Sequence, residues 1–125
     1  MDYKLEDIVV TTTESDISIT PVSNYINKSL FIINRGTNAV TIRVYGSPTG
    51  ATVQLYTSSK TGVSLYTTAE INLHYRILAT LVVNANDNAC VDLSDYIYNY
   101  FKITGQTGAG TSTINYAVQG VRYGL

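Results

Sequence analysis

The stretch AVTIRVYG, at residues 39–46, alternates apolar and polar side chains from Val40 onward. Val40, Ile42 and Val44 fall on one side of an extended chain and the polar side chains on the other, because successive strand residues point to opposite faces. This alternation predicts a half-buried β-strand. Similar runs of β-branched and tyrosine residues, cut apart by Gly, Asn and Asp, continue over residues 17–123.

The runs add up to about eight to ten short strands, with turn signals roughly every eight to twelve residues and no helical period. They predict an all-β fold, a single-domain antiparallel β-sandwich. The high strand count favours a jelly-roll-like arrangement over an immunoglobulin-like one. At 125 residues the chain is long enough to bury a core without a disulfide or a metal.

Three local patterns predict how the strands are arranged. Residues 29–33 and 39–46, joined by the turn at 34–38, are predicted to form a β-hairpin with a five-residue loop. Residues 77–83 form the most apolar run and are predicted to be a central strand. The Asn-rich stretch at 84–88 is predicted to be a hairpin turn.

The charges divide the chain into two parts. Residues 1–16 hold five acids against one base, a net charge of −4, whereas residues 17–125 hold four acids against seven bases, a net charge of +3. Opposite charges of this kind attract each other, either within one molecule or between neighbours. Residues 1–16 are therefore predicted to be an N-terminal edge strand or an arm, ahead of a β-sandwich domain at 17–125.

The charged residues are few, at 14% of the chain with a net charge of −1, whereas soluble domains typically have about 25%. A surface poor in charge favours contact with copies of the same chain or with a partner. The absence of a basic stripe argues against nucleic acid. No apolar run approaches the ~20 residues of a membrane span, and no signal peptide is evident, so we expect synthesis in the cytoplasm unless a signal has been removed.

Residues that carry chemistry are scarce. His74 is the single histidine and Cys90 the single cysteine, which we interpret as an inert small residue. Asparagines stand at 84, 86 and 88, where a calcium loop needs carboxylates. Four acids share only sequence proximity: Glu70, Asp87, Asp92 and Asp95. We therefore expect no enzyme, no catalytic or metal-binding residues and no cofactor.

Eleven tyrosines are the remaining signal, and several fall in the polar register of their strands. Rings exposed on a sheet serve subunit interfaces and sugar stacking alike, and cross-strand packing also uses them. The absence of tryptophan weakens the interpretation that the exposed rings stack on sugars. Adding the apolar residues of the leading segment, we predict that seven residues lie at an interface: Leu5, Ile8, Val10, Tyr45, Tyr56, Tyr98 and Tyr100.

Two segments, at 34–47 and at 92–103, carry a resemblance to known families. The pattern NRGTNAVTIRVYGS at 34–47, with DLSDY at 92–96 and YFKI at 100–103, resembles compact β-sandwich subunits of phage virions, such as decoration, head-fibre and tail accessory proteins. It is also similar to the jelly-roll subunits of bacterial spore-appendage fibres. That group carries cysteines in its N-terminal connector, and this chain has none there.

The resemblance implies a non-enzymatic building block in a multi-copy assembly. We expect a structural subunit of a phage virion, with a subunit of an extracellular or spore-appendage fibre and a glycan-binding adhesin module as the alternatives. The expected partners are copies of the chain and other structural proteins of the same particle, and the expected location is a virion or an extracellular appendage.

Overall fold

The structure, a computed structural model, describes residues 2–51, 56–59, 62–65 and 71–122. Short alternating runs form strands throughout these residues. In chain order the strands are β1 Asp2–Val10, β2 Ser15–Pro21, β3 Tyr25–Asn34, β4 Val40–Ser47, β5 Tyr56–Ser59, β6 Gly62–Leu65, β7 Arg76–Val83, β8 Asp87–Asp92, β9 Tyr100–Thr107 and β10 Ser112–Arg122.

Eight of the strands form two antiparallel four-stranded sheets. Sheet A has the order β1-β10-β3-β8 and sheet B the order β2-β9-β4-β7, while β5 and β6 pair with each other. The chain therefore changes sheet at each step from β1 to β4 and again from β7 to β10. Two sheets threaded in this way form a jelly roll, so the predicted all-β sandwich with jelly-roll topology is confirmed.

The core lies between the two sheets and is built from the inward-facing residues of their central strands. The alternation in β4 is confirmed, because Val40, Ile42 and Val44 are fully buried while the residues between them are half-buried. Other fully buried side chains in the same cluster are Leu30, Ile32, Phe101, Ile103 and Ile114.

The predicted hairpin between residues 29–33 and 39–46 is wrong. β3 lies between β10 and β8 in sheet A, and β4 lies between β9 and β7 in sheet B. Both strands have an apolar inner face, and the two faces bury each other when they belong to opposite sheets. A five-residue loop reaches about 17 Å, which is enough to cross the ~10 Å between packed sheets.

The predicted central strand at 77–83 is also wrong, because β7 is an edge strand whose one neighbour in sheet B is β4. Its inner face, which includes Val83, packs on the core, but Ile77 and Val82 are 51% and 61% exposed. The Asn-rich stretch after it is not a hairpin turn either. It carries the chain from sheet B to sheet A, with Asn86 at a φ of 56°.

Asn34 ties the two sheets together at the end of β3. Its side-chain amide donates to the carbonyl of Asn38 at 2.8 Å and to that of Val83 at 3.0 Å. Its oxygen accepts from the backbone N–H of Gly36 at 3.0 Å and from the hydroxyl of Ser112 at 2.6 Å. Asn34 is 1% exposed, so water cannot replace these partners.

Replacing Asn34 with Ala should lower the free energy of unfolding by about 2–4 kcal/mol, because it leaves buried carbonyl, N–H and hydroxyl groups without partners. Denaturant titration measures the effect. The matched control is Asn88→Ala on the exposed edge strand β8, which should change stability by less than about 0.5 kcal/mol. Equal effects of the two substitutions would contradict the role given to Asn34.

Candidate functional site

The acidic leading segment folds back on the body of its own subunit. Three ion pairs join Asp7 to Arg35 at 2.8 Å, Glu14 to Arg43 at 3.7 Å and Asp16 to Lys102 at 3.8 Å. Each pair links residues 1–16 to the rest of the chain. The attraction expected from the charge division therefore acts within one molecule, with β1 as the edge strand of sheet A beside β10.

Glu14 lies on the outer face of sheet B, above the central strands β9 and β4. One of its carboxylate oxygens accepts the hydroxyls of Thr104 at 2.6 Å and Tyr45 at 2.7 Å. The hydrogen bond from the Thr104 hydroxyl is the main cause that lowers the pKa of Glu14. Burial opposes it, and the Tyr45 hydroxyl and the charges of Arg43 and Lys102 lower the pKa further. The pKa of Tyr45 is raised, first by burial and then by the Glu14 carboxylate.

Next to this network is a cleft of about 350 Å³. Strands β4 and β9 supply its floor, residues 14–16 supply one wall, and a helical turn at 71–75 supplies the other. The turn is closed by backbone hydrogen bonds from His74 to Ile71 at 2.9 Å and from Tyr75 to Asn72 at 3.2 Å. The cleft is lined by Glu14, Asp16, Tyr45, Asn72, Tyr75, Lys102 and Thr104.

The ammonium of Lys102 lies over two tyrosine rings in this cleft. Its Nζ is 4.3 Å from the ring centroid of Tyr75 and 5.1 Å from that of Tyr45, within the range of cation–π contacts. The Tyr75 hydroxyl donates to the carbonyl of Ala51 at 2.7 Å, which fixes the ring. Burial raises the pKa of Tyr75, and the negative charge of Asp16 adds to the effect.

The side chains that line the cleft are hydrogen-bond donors and acceptors. His74 lies outside the lining residues, and its Nδ1 is 2.7 Å from the Thr49 hydroxyl. Of the other acids considered from the sequence, Asp87 and Asp92 accept nearby backbone N–H groups, and Glu70 lies outside the described residues. Within the described part of the chain, no group of three or more His, Cys, Asp or Glu residues is placed to hold a metal ion.

Among the described residues, the sandwich has strand edges without a partner strand on two opposite sides. β1 packs beside β2 on one side, and β7 packs beside β8 on the other. β7 is the most apolar of these edges, with Ile77 and Val82 exposed, and Val9 of β1 is exposed on the opposite side. These edges are the second candidate for a functional surface, because an edge strand can pair with another chain.

The residues predicted to lie at an interface fall in different places. Val10 is 1% exposed and belongs to the core, so it cannot contribute to a surface, and Ile8 is half-buried against that core. Tyr45 belongs to the network around Glu14. The side chains of Leu5 and Tyr56 lie outside the described residues.

Tyr98 and Tyr100 are half-buried because they pack on glycine backbone. The ring of Tyr98 covers Gly46 so closely that no side chain fits there. The ring of Tyr100 covers Gly50, which has a φ of +64° and would place a Cβ 2.9 Å from the ring. The two rings were predicted to lie exposed at an interface, but much of their surface packs within the subunit.

Sequence reasoning missed the residues that complete the cleft. Asn72, Tyr75 and Lys102 come from two distant segments, and nothing local in the sequence joins them. The one usable signal in the sequence was the opposite net charge of residues 1–16 and 17–125. Two of the ion pairs between these two parts, Glu14 with Arg43 and Asp16 with Lys102, border the cleft. Cys90 is exposed on the outer face of sheet A, opposite Phe31 of β3.

Comparison with known proteins gives the fold and nothing finer. No family model matches the chain, and no curated protein is significantly similar to it. The chain is similar to the crystal structure of PirA, with a TM-score of 0.59, 15% sequence identity, and coverage of 91% of this chain and 92% of that one. Identity this low shows a shared fold alone. Among the described residues, no helix is long and apolar enough to cross a bilayer.

Replacing Glu14 with Gln should make the protein less stable at neutral pH and should matter progressively less in acid. A lowered pKa means that the Glu14 charge contributes stability fully above the ordinary value of 4.5, and that this contribution is lost as the pH falls through the folded-state pKa. The contribution should be below about 1 kcal/mol, because solvent screens a partly exposed group. Unfolding free energies measured from neutral pH to about pH 3 give the difference between the two proteins.

Tyr45→Phe is the companion variant, since it removes one hydroxyl donor to Glu14 and keeps the ring. It should move the acid loss of stability to higher pH. A difference between the wild type and Glu14→Gln that does not change with pH would be incompatible with this network.

Proposed function

We propose that this chain is a non-enzymatic structural subunit of a self-assembling, multi-copy particle. The observation that supports the proposal most is the open edge formed by β7. A strand at the edge of a sheet has unpaired N–H and C=O groups that another chain can pair with. Strand addition of this kind gives a subunit a function through contact and needs no reactive side chain.

β7 has two of the features that protect an edge strand, a charged first residue and a bulge at Leu78, but the rest of the strand is apolar. Natural edges are blunted by lysine, proline, inward-pointing charge or bulges. β7 reads RILATLVV, with a single charge at its first residue and no proline. Its outer face exposes Ile77 and Val82, in a protein whose charged fraction is only 14%. An apolar edge of eight residues in such a surface is suited to pairing.

The strand directions fit addition by simple repetition of the subunit. Every pairing within the two sheets is antiparallel, so the first and last of four strands run in opposite directions. A copy placed alongside in the same orientation brings its β2 antiparallel to β7 and its β1 antiparallel to β8. Both sheets would continue across the contact. The two sides of the subunit that meet in this contact are different. Repeating such a contact gives a ring if the chain of subunits closes on itself, and a filament if it does not.

The particle we propose is a phage virion, in which the chain would be a decoration, head-fibre or tail accessory protein. An extracellular or spore-appendage fibre is the alternative. The low charge and the two open sides support either setting. A closed ring on a larger lattice fits the first, and an open filament fits the second.

Placing lysines at both exposed apolar positions of β7, as Ile77→Lys with Val82→Lys, should abolish assembly and leave a folded monomer. Each lysine removes an apolar cross-strand contact with the incoming strand, and charged side chains on an edge strand oppose pairing with another chain. Size-exclusion chromatography with light scattering measures the oligomeric state, circular dichroism checks the fold, and negative-stain microscopy of the wild type distinguishes filaments from rings.

The control is Ala109→Lys, which adds a lysine to the exposed loop between β9 and β10, away from the edges. It should assemble like the wild type. A wild type that stays monomeric at high concentration would refute the structural role. Unchanged assembly of the lysine variant would refute the part given to β7.

A further inference from the structure

We propose that the cleft on the outer face of sheet B binds a neutral saccharide. The proposal does not rest on the assembly role, although Asp16 of the cleft belongs to β2, the edge strand that would pair with β7 of a neighbour. The cleft volume of about 350 Å³ is within the range of small-ligand pockets, about 300–1,000 Å³.

Three polar side chains converge on the cleft with hydrogen-bonding capacity to spare. The Lys102 ammonium has three donor hydrogens, yet its contacts are two ring faces and Asp16 at 3.8 Å, which is longer than a hydrogen bond. The carboxylate of Asp16 and the side-chain amide of Asn72 make no hydrogen bond within the described residues. By contrast, Glu14 already accepts two hydroxyls.

The three groups lie at different depths in the cleft, so a ligand could contact all of them at once. The side chain of Asp16 is 57% exposed, at the mouth, whereas that of Lys102 is 18% exposed, at the floor. Asn72 is exposed on the opposite wall. A ligand in the cleft would therefore meet an acceptor, an amide that both donates and accepts, and a donor beneath. The rings of Tyr45 and Tyr75 also line the cleft.

The charges around the cleft select a neutral ligand. Two carboxylates, on Glu14 and Asp16, face two cations, on Arg43 and Lys102. An anionic ligand would meet the Asp16 carboxylate at the mouth, and a cationic ligand would meet the ammonium on the floor. A ligand that is neutral and rich in hydroxyls can donate to Asp16 and accept from Lys102 without breaking either ion pair. A saccharide has this chemistry, and its C–H faces pack on aromatic rings.

The test uses the full chain on an array of immobilised oligosaccharides that contains neutral hexose and N-acetylhexosamine glycans together with sialylated and sulfated ones. Neutral glycans that bind are then titrated by calorimetry. We expect reproducible binding of at least one neutral glycan. Asp16→Ala and Asn72→Ala should each weaken it at least about tenfold, because each removes a hydrogen bond to the ligand.

Asn88→Ala, on the outer face of sheet A, is the matched control and should bind like the wild type. Both cleft substitutions are at exposed positions, so their thermal unfolding should stay close to that of the wild type, with Asp16→Ala losing only a weak ion pair to Lys102. The proposal is overturned if no neutral glycan binds, if binding is confined to sialylated or sulfated glycans, or if the two cleft variants keep the wild-type affinity. The single variant Val82→Lys, opposite Thr41 and away from Tyr45, should bind the glycan normally, which separates this test from that of assembly.

Discussion

The burial of two apolar sheet faces against each other is the interaction on which the rest of this structure depends. Val40, Ile42 and Val44 of β4 face the core from sheet B, and Leu30 and Ile32 of β3 face it from sheet A. Each strand with one apolar face can bury it only by lying opposite another such strand. The chain therefore changes sheet at nearly every connection, and the polar side chains are left on the two outer faces.

The outer face of sheet B carries the polar chemistry of the molecule. Lys102 and Tyr45 come from its central strands, and Glu14 reaches over them from the connection between β1 and β2. The same contacts that fix the leading segment on the body therefore also build one wall of the cleft. Stability and the shape of the candidate binding site are coupled here, because loss of the Glu14 contacts would release residues that line the cleft.

The cleft opens on the outer face of sheet B and takes Asp16 from the edge strand β2, so it lies beside the contact proposed for the assembly. Pairing through β7 would extend the sheets sideways, and the outer face of sheet B would stay open to solvent. An assembly of this kind would present many copies of the cleft along its surface. Repeated weak contacts gain strength through multivalency, provided that their spacing matches that of the target.

The amino-acid sequence by itself predicted a series of short strands, the all-β class and the attraction between the acidic leading segment and the body, because alternation and charge are local or additive properties. It did not establish which strands are neighbours. Residues 77–83 show the same apolar character whether they lie at the centre of a sheet or at its edge, and β9 pairs with strands more than fifty residues away. Long-range packing placed β7 at an open edge and brought Asp16, Asn72 and Lys102 into one cleft, since the free energy of burying both sheets depends on contacts that no short segment contains.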